Sequence, residues 1–161
     1  MTYLLDNDYY VRKTTFALLP AEHMTHQTII HDIQGTYYSN RTMKELLEEA
    51  CLRGGSKMSG RLEAAKYTLG IRNKIPLIID PFNHIYAFPT HSHKNLLNAW
   101  IFLDHIKAIK PHPEYSKQAN FDLHNGLTIT AKCSYSTAQS QFARTSQLCY
   151  VHTIKAMRHP G

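Results

Sequence analysis

The chain is short of acid and short of cysteine. Twelve Asp and Glu stand against 18 Lys and Arg, which leaves a net charge of +6 and a pI near 9.2. No acidic residue follows Asp122, whereas Lys132, Arg144, Lys155 and Arg158 do, so the tail is basic. A surface this poor in carboxylate seeks an anionic counterpart, with nucleic acid first and anionic lipid second. The three cysteines, Cys51, Cys133 and Cys149, are odd in number and form no C-x-x-C pair. That argues against a disulfide framework and reads as reduced cytosolic thiols, mostly buried. No apolar run approaches the ~20 residues that span a bilayer. The N-terminal Met1–Asp8 has no basic n-region and no long apolar stretch, so no secretory signal is expected. Hydrophobic residues at 43% fit a folded globule, read as one domain over 1–161.

What is present groups into strands and three helices. Tyr9–Leu19 is rich in aromatic and β-branched residues and stops at Pro20, so it reads as a strand. Gln27–Tyr38 reads as a second strand with an irregularity at Gly35. Thr42 and Glu45 form the S/T-x-x-E capping box that opens a helix. Met43, Leu46, Leu47, Ala50 and Cys51 give that helix one apolar stripe, and Gly54-Gly55 ends it. Lys57–Leu69 reads as a second short helix. Pro76–Asp80 and His84–Phe88 make a β-hairpin, and Pro89–Asn98 is a polar loop. Ala99–Ile109 reads as one strand. Asn120–Leu123 and Leu127–Lys132 flank Asn125-Gly126, a strong hairpin signal. From Ser136 to about Met157 no Gly or Pro interrupts one long closing helix. The expected class is α+β: a mainly antiparallel sheet of about six strands in hairpins, covered by two short helices and one long C-terminal helix.

The charge is concentrated. Arg53, Lys57, Arg61, Lys66, Arg72 and Lys74 face only Glu63 within the same stretch, which also holds Gly54, Gly55, Gly60 and Gly70. Glycine lets backbone N–H groups approach a polyanion closely, and the cations supply attraction. Candidate phosphate or groove ligands are therefore Arg53, Gly54, Gly55, Ser56, Lys57, Gly60, Arg61, Lys66, Arg72 and Lys74, with support from Arg144. The competing view is a solvated face that keeps the chain soluble.

Other motifs carry less. Gly55-Ser-Lys-Met-Ser-Gly60-Arg61-Leu62 nearly spells a P-loop, but Arg61 stands where lysine belongs and Leu62 where the magnesium-binding hydroxyl belongs. It also follows a helix rather than a strand, so nucleotide hydrolysis is not expected, although a phosphate can still bind a Gly-rich turn. His91-x-His93 has no further ligand at a zinc-like spacing. Asp104-His105, as neighbours on a strand, would face opposite sides. No catalytic residue, metal or cofactor is expected.

The chain resembles the ComK family of competence transcription factors from about Tyr9 to Thr153. The resemblance is carried by Thr15-Phe-Ala-Leu-Leu-Pro20, by Cys51 to Gly60-Arg61, by Pro76-Leu-Ile-Ile-Asp-Pro81 and by Ile85-Tyr-Ala-Phe-Pro-Thr90. It continues through Ala99-Trp-Ile101 with His105, His124-Asn-Gly126, and Ser134-Tyr135 leading to Arg144-Thr145. It departs at the glycine loop, where the family pattern G-S-S-Y-x-G-R-K has a tyrosine and a final lysine that are absent here. Lys57 supplies a nearby charge. The resemblance implies a cytoplasmic, nucleoid-associated activator of DNA-uptake genes. It implies binding to paired A/T-rich boxes through the minor groove, as an oligomer built from dimers. It also implies RNA polymerase and an adaptor to a Clp-type protease among the partners. The residues alone leave two alternatives open: a non-activating paralogue acting through protein contacts, and a phosphate- or nucleotide-binding protein using Gly55–Gly60.

Overall fold

The computed structural model describes residues 4–21 and 27–158, with side chains of the closing helix described to 154. The strands are β1 (Leu4–Leu5), β2 (Thr15–Pro20), β3 (Thr28–Asp32), β4 (Gly35–Ser39), β5 (Leu77–Asp80), β6 (Ile85–Pro89), β7 (Trp100–Phe102), β8 (Ile106–Pro111), β9 (Ala119–Leu123) and β10 (Thr128–Ala131). The helices are α1 (Met43–Arg53), α2 (Met58–Leu69) and α3 (Tyr135–Arg158). A seven-stranded sheet runs β1-β4-β3-β2-β7-β6-β5, antiparallel throughout except where β1 pairs parallel to β4. A smaller sheet runs β10-β9-β8. The expected α+β class, antiparallel pairing and long closing helix are all present.

Alternation along β7 shows how the layers are made. Trp100 and Phe102 join the core cluster under α1, with Leu46, Leu47, Cys51, Leu77 and Ile79. Ile101 points the other way, into a second cluster with Phe16, Phe88, Phe121, Leu123 and Ala138, beneath the small sheet and α3. One face of the large sheet therefore carries α1 and α2, and the other carries the second sheet and the start of α3. The period-2 direction of strand side chains enforces this split.

Three expected segments are subdivided. Gln27–Tyr38 is a hairpin: β3 and β4 pair directly, Asp32 opposite Gly35, and the chain reverses through Ile33-Gln34. Ala99–Ile109 is broken by a 3-10 turn at Leu103–His105, where the chain leaves the large sheet and enters the small one. His105 consequently does not stand opposite Asp104 on a strand; its Nε2 donates to the Lys13 carbonyl at 2.6 Å. In Tyr9–Leu19 the ladder begins only at Thr15. The preceding Tyr9–Lys13 is held by side chains instead. Asp32, fully enclosed, accepts from the Tyr9 hydroxyl at 2.5 Å and the Thr14 hydroxyl at 3.0 Å, and pairs with Arg12 Nε at 3.3 Å. Burial and the neighbouring carboxylate push the Tyr9 hydroxyl well above the usual tyrosine range.

The capping box is made: Thr42 Oγ1 accepts from Glu45 N and Glu45 Oε1 from Thr42 N, both at 3.1 Å. Such a cap contributes about 1 kcal/mol. The stop at Gly54 has a different cause from the one its composition suggests. A Cβ at Gly54 would stand 2.3 Å from the Ile79 carbonyl oxygen and 3.0 Å from Asp80 Cα. The close approach that needs glycine is to the protein's own β5. Gly54→Ala is expected to lower unfolding stability by about 3 kcal/mol, because the backbone on both sides must shift. Urea denaturation checks this against Gly60→Ala, a helical site with nothing nearer than Ser56 Oγ at 3.8 Å, where no loss is expected.

Candidate nucleic-acid interface

The α1–α2 turn is short. Ser56 N donates to the Cys51 carbonyl, Arg61 N to the Lys57 carbonyl, and Lys57 is already the N-cap of α2. Ser59 and Gly60 therefore lie inside the first turn of α2. Gly55–Gly60 is not one continuous loop that could wrap a phosphate. Gly55, at φ +98, makes the reversal, and Lys57 is exposed beside it.

The six cations of this stretch do not converge on one cradle. Arg53 reaches back along α1 to Glu49 at 3.4 Å and lies over the Tyr10 ring, 4.4 Å from its centroid. Arg12 covers the same ring at 5.1 Å. Arg61 turns inward: one guanidinium nitrogen donates to the Gly54 carbonyl at 3.2 Å, and Nε is enclosed with no acceptor among the described residues. It braces the turn and sits above Cys51, whose thiol is pushed up to about 11 by burial while Arg61 pulls the other way.

Helical geometry explains the separation. Met58, Leu62 and Lys66 recur at four-residue spacing and share one flank of α2. Arg61, Ala65 and Thr68 share the other flank, facing α3 residues Leu148 and His152 across a small cleft. On the first flank lies a hollow of about 220 Å³. Its floor is Met58, Leu62 and Trp100, and its rim carries Lys44 from α1, Lys66 from α2, Arg72 and Lys74 from the turn before β5, and His93. A second hollow, of about 340 Å³, adjoins it through Lys44, Met58, His93 and Trp100 and runs on to Leu96. No carboxylate lines either one among the described residues.

Two of these cations, Lys44 and His93, stand outside the stretch that the composition singled out. Lys44 enters because α1 begins beside α2. His93 enters because the Thr90–Asn98 loop folds over β7. That loop is sewn at its base: Thr90 N donates to Ala99 O, and His91 N to Asn98 Oδ1. His91 is structural. Its Nε2 donates to the Lys132 carbonyl at 2.9 Å, and the Thr90 hydroxyl meets Nδ1 at 2.8 Å. Burial holds its pKa below the usual histidine range, and Lys74 adds to that, against the pull of the Lys132 carbonyl. Arg144 sits one step behind the rim: Nη1 donates to Gln141 Oε1 at 3.1 Å. Gln141, buried, donates through Nε2 to the Lys74 carbonyl at 2.9 Å and the Pro89 carbonyl at 2.7 Å. Lys74 itself has φ 49, a left-handed conformation uncommon outside glycine and asparagine. Lys155 and Arg158, the end of the basic tail, have side chains outside the described residues.

A compact cationic hollow on this fold can be set beside known proteins. Residues 6–156 match the family model described as ComK protein. The chain belongs to the ComK family. It is similar to a competence transcription factor of Bacillus subtilis (strain 168), 29% identical over 143 residues, covering 87% of this chain and 72% of that protein. No solved structure matches. No helix among the described residues is long and apolar enough to cross a membrane, and no cluster of three His, Cys, Asp or Glu among them is placed to hold a metal ion.

Proposed function

We propose that this ComK-family chain is a competence transcription factor, not an enzyme, and that the hollow between α1, α2 and the Thr90–Asn98 loop is where it meets duplex DNA. The observation that carries this is the gathering of Lys44, Lys66, Arg72, Lys74 and His93 from four separate parts of the chain onto one rim free of carboxylate. Charges collected from distant segments onto one surface make a field that a polyanion reads as a unit. The relative named as a competence transcription factor supports the same reading.

The lysines meet phosphates, and exposed Arg72 enters the minor groove, whose narrow A-tract form attracts arginine. Lys57 extends the contact along the backbone. Arg53 and Arg61 act behind this surface, holding the α1–α2 turn. Minor-groove edges separate A·T from G·C pairs, so the targets are A/T-rich boxes. Pairing of boxes is read by an oligomer of the chain. The site of action is the chromosome, in the cytoplasm, with RNA polymerase as a partner and a Clp-protease adaptor as the route of removal.

Titration of a paired A/T-box duplex and a G·C-rich control at several salt concentrations tests this. About four phosphate contacts per protomer give a slope of log K against log salt near −4, with the A/T duplex bound more tightly. A flat salt response, or equal binding to the control, overturns it.

A further inference from the structure

The Thr90–Asn98 loop does more than supply His93. Two successive turns stiffen its tip: Asn95 N donates to Ser92 O at 2.9 Å, and Asn98 N to Asn95 O at 3.1 Å. The Asn95 side chain closes the second turn by accepting from Leu97 N at 2.8 Å. The residue at the apex is Leu96, 90% exposed, with Leu97 beside it at 44%. Isolated exposed leucines are ordinary. This one differs in its setting. It is held on a braced tip at the edge of a hollow whose cations are Lys44 and His93, with Lys94 exposed two residues away. Phe82 and Tyr67 are as exposed, but neither lines the cationic hollows.

An apolar side chain presented rigidly from a basic surface matches the way minor-groove proteins deform DNA. Leucine, isoleucine, methionine or phenylalanine enters between two base pairs, unstacks the step and kinks the duplex toward the major groove. The flanking cations hold the two phosphate strands while the wedge enters. We propose that Leu96 is such a wedge, inserting at one base step of the bound duplex and bending it around the loop. This rests on the DNA-binding reading of the hollow. It adds a specificity that phosphate contacts cannot give. TpA steps stack weakly and kink easily, whereas ApA steps within an A-tract are stiff. The protein therefore favours an A/T box interrupted by TpA over an uninterrupted A-tract of equal length.

The test uses the full chain and end-labelled duplexes, with binding followed by anisotropy and bending by energy transfer between the ends. The parent chain is expected to shorten the end-to-end distance and to prefer the TpA duplex. Leu96→Ala, at a site that packs on almost nothing, keeps its circular-dichroism spectrum, binds the intact TpA duplex about tenfold more weakly, loses the bend and loses the TpA preference. It binds as tightly as the parent to a duplex with a mismatch at the step, where stacking is already broken. Leu96→Met retains the bend. If Leu96→Ala binds and bends like the parent, the wedge is wrong while the DNA reading stands. If it changes only self-association in sedimentation, Leu96 belongs to a protein interface and the wedge is again wrong. If the parent binds no duplex, the underlying reading falls and the wedge falls with it.

Discussion

The triple variant Lys44→Ala, Lys66→Ala, Arg72→Ala is expected to bind A/T-rich duplex on the order of 500-fold more weakly than the parent at 0.1 M salt, from ~0.9 logarithmic units per phosphate contact removed. The same change should flatten the salt dependence from a slope near −4 to roughly −1. Lys74 is left in place on purpose. Its left-handed backbone makes alanine there a strain as well as a charge change, and the result would mix the two. The three chosen residues are on or next to the surface, and none is in an ion pair among the described residues. Folding should therefore be preserved. The informative comparison is Arg53→Ala with Arg61→Ala. That pair removes two charges from the densest basic stretch of the sequence but not from the hollow. It should cost stability through the lost brace on Gly54 while leaving the salt slope unchanged. A slope that falls equally in both variants would relocate the interface to the α1–α2 turn.

Asp32→Ala is expected to have the largest effect on stability, a loss of about 3 kcal/mol or more in urea denaturation. The carboxylate has no exposed surface and gathers Arg12, Tyr9 and Thr14. Truncation leaves Arg12 without its counter-charge. Arg12 is 30% exposed, so water compensates part of the loss and the estimate lies at the lower end for broken buried pairs. Asp32→Asn keeps an acceptor for the Thr14 hydroxyl and should lose less. The damage is not confined to the sheet edge. Arg12 and Arg53 flank the Tyr10 ring, so loosening Arg12 also frees the last side chain of α1. An unchanged denaturation midpoint would show that the Tyr9–Lys13 segment is held by something other than Asp32.

The elements written in local chemistry were legible in the sequence. Thr42 with Glu45 gives the start of α1, Asn125-Gly126 gives the β9–β10 turn, and the Gly- and Pro-free run gives α3. Breaks that depend on partners at a distance were not legible. Leu103-Asp104-His105 has no turn residue to mark it, and the chain bends there because Phe102 and Ile106 belong to different sheets. Ile33-Gln34 is likewise an unmarked reversal, fixed by Asp32 pairing across to Gly35. The candidate site was legible in half. Lys66, Arg72 and Lys74 do gather, and they were visible as a charge run. Arg61 could not be told from Lys66 by composition; the helical phase of α2 separates them once the buried side is known. Lys44 and His93 carried a weak signal only: one follows the capping threonine by two positions, and the other looked like half of a metal pair.

Gln141 lies beneath the whole arrangement. One amide nitrogen donates to the carbonyl of Lys74 and to that of Pro89, the residues from which the Arg72–Lys74 turn and the Thr90–Asn98 loop depart. The gap between those two banks is therefore gauged from inside the molecule, by a group that no ligand in the hollow would touch. The spacing of the charges is an inherited dimension of the interior, and whatever lies across them must conform to a fixed template.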